Sequence, residues 1–286
     1  MRYPAVAACC PALLAAVLGC GESIAPFDGV HDFQLEVPSG ETTRTAVVHI
    51  PPSYDGTRRF PLVLAFHGSF GSGQEIQGYT GLDRVADDLG FIVAYPDATP
   101  NWDYEGARDL DFTLDLIDAL SARLGITTDR VYATGVSRGG LFALHLACDV
   151  AERFAAVGIV VATLREDLAD RCRPRERLST VLVVGTLDGS TPIDGEPQFG
   201  YLSADATIRL FAGRNGCDLG RPPTVTYAPD TVDDGLRIRF EVFQGCDDGT
   251  GAERWVVEGG THADGWYLGD VDTGRLLAEF FLSHHR

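Results

Sequence analysis

The sequence predicts an α/β fold in one domain over residues 31–286, with a mostly parallel central sheet flanked by helices. Three observations predict it. Short apolar runs of strand length recur along the chain, segments with helical apolar spacing alternate with them, and glycine-rich turns separate the two kinds. With 286 residues, 45% of them hydrophobic and 22% charged, the chain can build one sizeable core. No internal repeat, low-complexity block or interdomain linker breaks the pattern.

A leader comes first, over residues 1–20. Arg2 precedes an apolar run at residues 5–18, interrupted only by Pro11, which ends in Val17-Leu18-Gly19-Cys20. The run is too short to span a bilayer and reads as a signal-peptide core. Its ending resembles a bacterial lipobox, in which the cysteine is lipidated and becomes the mature first residue; ordinary cleavage nearby is the alternative. Either reading predicts export, to the extracellular space or to the cell envelope through a lipid on Cys20. Residues 21–30 are a tether.

Residues 33–37 and 45–50 are β-like, the second run stopped by Pro51-Pro52. Residues 61–66 are an apolar run typical of a strand buried on both faces, followed by the loop His67-Gly68-Ser69-Phe70-Gly71-Ser72-Gly73. Residues 82–89 form a helix closed by Gly90, and 91–95 another buried strand. Leu110, Leu114, Ile117, Leu120 and Leu124 fall three or four apart, which predicts an amphipathic helix over 110–124. A strand at 131–134, a mostly apolar helix at 141–148, and strands at 156–162, 180–184, 238–243 and 255–258 follow. A helix at 276–282 closes the chain.

Composition removes several function classes. All 23 basic side chains are arginine, so Schiff-base chemistry is excluded. A formal net charge of -18 argues against nucleic acid or an anionic membrane surface as partner, since both require clustered positive charge. Cys148, Cys172, Cys217 and Cys246 lie beyond the leader. In an oxidising compartment they predict two disulfides. Four cysteines allow three pairings, and sequence-adjacent pairing closes the shortest loops. The absence of CxxC or paired histidine spacing argues against zinc at these cysteines.

The chemistry is carried by Thr134-Gly135-Val136-Ser137-Arg138-Gly139-Gly140, which holds the only Gly-x-Ser-x-Gly of the chain. It falls between a predicted strand and a predicted helix, where a nucleophile elbow belongs. The elbow strains its serine, and glycines two positions either side remove the clash. A serine hydroxyl needs a base, and the base needs an orienting carboxylate. Of the histidines after the elbow's helix, His284 and His285 belong to a tail expected to be solvated. His145 is on the helix itself and reads as a core or groove residue. His262 remains, on a loop after a predicted strand. Asp188, on the loop after strand 180–184, is the candidate acid, with Asp194 as fallback. The backbone N–H of Arg138 and that of Ser69, with Phe70 as its rival, are the candidate oxyanion donors. His67 reads as a residue that orders its loop. Trp102, Trp266 and Tyr267 are aromatic residues able either to stack a substrate or to pack.

These motifs resemble the polyhydroxybutyrate depolymerase and feruloyl (acetylxylan) esterase group of α/β-hydrolases. The resemblance covers most of residues 31–286. It is carried by residues 61–68 and 129–140, Leu146-Ala147-Cys148, Phe154-Ala155-Ala156, Gly185-Thr186-Leu187-Asp188, Asn215-Gly216-Cys217 and Gly259-Gly260-Thr261-His262. It implies the α/β-hydrolase fold, a Ser137-Asp188-His262 acyl-enzyme mechanism without metal or organic cofactor, and the pairs Cys148–Cys172 and Cys217–Cys246. Two positions depart from the group's pattern. Arg138 stands where Asn is usual, and Thr261 stands where Gly usually precedes the histidine, with no Trp-Pro close behind. No long apolar insertion suggests a lid, so an open cleft for bulky or polymer-linked esters is expected, in a monomer. A serine peptidase on the same fold and a non-catalytic surface binding protein are the alternatives.

Overall fold

The computed structural model describes residues 27–173, 176–247, 249–266 and 269–286. The leader with Cys20, most of the tether, and Tyr267 lie outside the described residues. Ten strands form one sheet in the order β1-β2-β4-β3-β5-β6-β7-β10-β9-β8. They are β1 (Asp32–Ser39), β2 (Thr42–His49), β3 (Phe60–Phe66), β4 (Ile92–Pro96), β5 (Ile126–Val136), β6 (Ala156–Val160), β7 (Ser179–Gly185), β8 (Thr224–Tyr227), β9 (Arg237–Val242) and β10 (Ala252–Glu258). The central six, β4-β3-β5-β6-β7-β10, are parallel. Antiparallel strands extend the sheet at both edges. The α/β-hydrolase fold class is borne out.

The centre reads as it does because its strands are covered on both sides. Every residue of β3, β4, β6 and β7 is buried. Along β3 the side chains alternate between two cores: Leu62, Leu64 and Phe66 face one, Val63 and Ala65 the other. Helices α3 (Arg108–Arg123), α4 (Arg138–Asp149) and α6 (Ala204–Arg214) pack on the first face through Phe112, Phe142 and Phe211. Helices α1 (Gly73–Thr80), α2 (Leu82–Leu89) and α7 (Thr273–Leu282) cover the second through Ile76, Val85 and Phe281. A short helix, α5 (Glu166–Arg171), follows β6. The β1–β2 hairpin turns on Gly40-Glu41, with Gly40 at φ 58°, a left-handed turn matched to the twist of paired strands.

The disulfides are Cys148–Cys172 and Cys217–Cys246. The first joins the end of α4 to the residue after α5. The second ties the turn after α6 to the turn after β9. The tail departs from expectation. His284 packs on the Phe280 ring at 4.5 Å and bonds the Phe280 carbonyl, while Arg286 N–H donates to Asp129 O. The chain end therefore docks beside β5 instead of fraying.

The disulfide-closed loops have sequence separations of 24 and 29 residues. A Cys148→Ser, Cys172→Ser double variant is expected to lose about 3 kcal/mol, measured by urea unfolding against the oxidised parent.

Candidate active site

The turn from β5 into α4 places Ser137. Its backbone sits at φ 56°, ψ -117°, in the left-handed half of the map that L side chains avoid. Two things hold it there. Its N–H donates to Val160 O at 2.8 Å, pinning the turn to β6. The chain on either side also closes to backbone contact: a Cβ on Gly135 would lie 2.2 Å from Gly139 O, and one on Gly139 would lie 2.1 Å from Phe66 O. Only hydrogen fits at both positions, as the motif predicts.

The loops after β7 and β10 supply the other two groups. Leu187 N–H donates to Gly260 O and Thr186 N–H to Val257 O, and a Cβ on Gly185 would meet Gly260 O at 2.4 Å. This interlock brings Asp188 to His262, with Nδ1 to Oδ2 at 2.8 Å. The other carboxylate oxygen accepts from Ser190 and Thr191 N–H, each at 2.8 Å. The Asp188 side chain is 1% exposed, and both of its oxygens are hydrogen-bonded. Asp194 is exposed and makes no hydrogen bond to His262 among the described residues. An Nδ1–H held by a carboxylate leaves His262 Nε2 as the free acceptor. The turn carrying His262 is itself clamped. Asp264 accepts from Thr261 N–H and Oγ1, and a Cβ on Gly265 would lie 2.3 Å from Val161 Cγ1.

Ser137 and His262 line one open cleft of about 600 Å³ with Ser69, Tyr79, Val136, Ala263 and Trp266. Among the described hydrogen bonds none joins Ser137 Oγ to His262 Nε2, a contact that commonly tightens only when substrate arrives. A second hollow of about 460 Å³, lined by Glu75, Gly71 and Gly78 among others, shares Ser69 and Tyr79 as its wall.

The loop after β3 distinguishes the two candidate donors. Phe70 N–H is engaged by Asn101 Oδ1 at 2.8 Å. Phe70 sits at φ 58° and is 83% exposed. Ser69 N–H takes no partner among the described hydrogen bonds, and Ser69 lines the cleft. His67 orders this loop: its Nε2 accepts Ala98 N–H at 3.1 Å and its Nδ1 donates to Gly68 O at 2.7 Å. Burial is the main reason its pKa lies below the usual histidine value. His145 is a buried core residue paired with Asp149.

Of the aromatic candidates, Trp102 is fully buried, stacked on Phe142 and donating Nε1–H to His67 O. It is a packing residue. Trp266 reaches the cleft with its Nε1–H on Thr80 O. Tyr79, on α1, is a cleft residue the sequence did not single out, because glycines on both sides hide that helix. Asn101 was equally silent, since its contact comes from 31 positions away.

A family model described as "Putative esterase" matches residues 38–194, which contain the elbow and Asp188 and stop before His262. "Putative esterase NocK" of Nocardia uniformis subsp. tsuyamanensis is 28% identical over 229 residues, 71% of this chain and 64% of that protein. "Feruloyl esterase B" of Piromyces equi is 24% identical over 241 residues, 78% of this chain and 43% of that protein. The chain thus spans less than two thirds of the length of either relative. Among solved structures, the acetyl xylan esterase from Aspergillus awamori superposes with a TM-score of 0.65 at 16% identity, over 88% of this chain and 99% of that one.

Since a methyl group at residue 139 would enter the backbone of β3, Gly139→Ala is expected to cost at least about 3 kcal/mol in denaturant unfolding. A cost below about 1 kcal/mol would contradict the packing described.

Proposed function

Because the chain belongs to the esterase family, the carboxylic ester hydrolases, we propose that it cleaves its ester by acyl transfer through Ser137, with His262 as base and Asp188 as the base's orienting acid. The observation that carries this reading is the His262–Asp188 pair opening onto the same cleft as the strained Ser137. Ser137 Oγ attacks the ester carbonyl carbon as its proton passes to His262 Nε2. The carbonyl oxygen becomes negative and is held by the N–H groups of Ser69 and Arg138, each such donor contributing about 10²–10³ in rate. Arg138 lies at the start of α4, so its N–H is among those without an intrahelical acceptor. On collapse the C–O bond to the alcohol breaks, and the imidazolium gives its proton to the departing oxygen. Water then attacks the acyl-enzyme with its proton passing to His262 Nε2, and that proton returns to Ser137 Oγ as the acid leaves. Asp188 keeps its charge throughout and holds the imidazole tautomer.

The cleft favours a bulky or polymer-linked ester. A second hollow lies beside it across Ser69 and Tyr79, and exposed Phe70 and Leu187 flank Ser69 and Asp188. Feruloyl, acetyl-polysaccharide and polyhydroxybutyrate esters are the classes to compare. Two disulfides support a site of action outside the reducing cytoplasm. A lipid anchor at Cys20 rests on the leader sequence alone.

The test compares the parent and Ser137→Ala on p-nitrophenyl acetate and butyrate, methyl ferulate, acetylated xylan and a polyhydroxybutyrate suspension. Loss of at least about 10³-fold on every ester cleaved by the parent is expected; parental rates in Ser137→Ala would refute the assignment. Asn101→Ala is expected to lower kcat about tenfold with little change in KM. Asn101→Asp, which keeps an acceptor for Phe70 N–H, is expected to recover most of that loss. An unchanged kcat in Asn101→Ala would remove Asn101 from the donor loop's support.

A further inference from the structure

A second cluster lies on other elements. Asp32 on β1 and His49 on β2 are directly opposed across the hairpin. Asp83 and Asp87, one turn apart on α2, face the same imidazole. His49, 7% exposed, has carboxylates at both ring nitrogens: Nδ1 is 2.8 Å from Asp32 and 3.9 Å from Asp83, and Nε2 is 2.9 Å from Asp87. Asp83 is oriented in turn by the Tyr95 hydroxyl at 2.7 Å and Gln77 Nε2 at 2.8 Å.

The charges do not balance. Three carboxylates meet one imidazole, and no described ion pair gives any of them an arginine, in a chain with 23 arginines. A proton on His49 offsets one negative charge; a divalent cation offsets two. From these contacts we propose that Asp32, His49 and Asp83 bind a zinc ion, with Asp87 orienting the imidazole.

One ligand atom from each of the three residues lies within 4.8 Å of the other two. Zinc holds nitrogen and oxygen ligands at about 2.0–2.2 Å, which separates neighbouring ligand atoms by roughly 3.3–3.6 Å. The observed 2.8 and 3.9 Å bracket that range, and exposed Asp32 is free to adjust. Asp87 on Nε2 completes the carboxylate–histidine–metal arrangement that fixes the ring and leaves Nδ1 for the ion. One imidazole and two carboxylates suit zinc better than calcium, which takes six to eight oxygen ligands. The site joins the hairpin to α2 and uses none of the residues assigned to ester cleavage. Residues 32, 49 and 83 have no motif spacing, which hides the cluster from the sequence.

The experiment is calorimetric titration of zinc chloride into the chelator-treated full chain at pH 7.5, with melting followed in parallel. One zinc per chain, bound with a Kd of about 1 μM or tighter and raising Tm by several degrees, is expected. Asp32→Asn, a substitution on an exposed strand residue that leaves the fold intact, is expected to weaken binding at least tenfold. Asp87→Asn is expected to weaken it about 10–100-fold while keeping one ion per chain. His49→Ala removes the nitrogen ligand and is read only if its far-ultraviolet circular dichroism matches the parent. The proposal is overturned by binding unchanged in Asp32→Asn, by several weak ions per chain, by calcium binding as tightly as zinc, or by no heat and no melting shift.

Discussion

The left-handed backbone at Ser137 is the constraint from which the rest of the site follows. An L residue at φ 56° is strained and persists only where the surroundings enforce it. Here they are backbone against backbone: Gly135 on Gly139, and Gly139 on the carbonyl of Phe66. The turn can be that sharp only because β3, β5 and α4 approach without side chains between them. It sets Ser137 at the carboxyl end of the parallel strands, where the loops after β3, β7 and β10 also open.

The loops after β7 and β10 are tied to one another. The Asp188 loop and the His262 turn are joined by two backbone hydrogen bonds and by glycine-enabled contact, so Asp188 and His262 are positioned as a unit. Asp188 is nearly sealed from solvent, yet each oxygen has a donor. The loop after β3 has its own support in His67 and Asn101, which take up the polar groups around Ser69, and the Ser69 N–H has no partner among the described hydrogen bonds.

Much of this was legible in the sequence, for identifiable reasons. Strands buried on both faces have no alternation to lose, so runs such as residues 61–66 and 180–184 stand out. Helix α3 shows its leucines at helical spacing. Ser137 is marked by glycines that the packing requires, and His262 by elimination among few histidines. The misses share a different physics. Helix α1 carries glycines at both ends, and all four residues of β8 are exposed, so neither shows an apolar pattern. Helix α6 begins at a serine cap with small residues where its burial starts. Trp102 looks like a surface aromatic in a polar stretch and is core, because the loop after β4 folds it beneath the donor loop. The contacts of Asn101 and His49 join residues too far apart in sequence for spacing to reveal them.

In the proposed mechanism the strained turn at residue 137 presents one activated hydroxyl. Labelling the intact chain with a fluorophosphonate ester, then mapping the modified peptide by tandem mass spectrometry, tests it most directly. One adduct per chain is expected, on Ser137 Oγ, formed at least about 10³-fold more slowly in His262→Ala. An adduct on another residue, or equally fast labelling in His262→Ala, would contradict it.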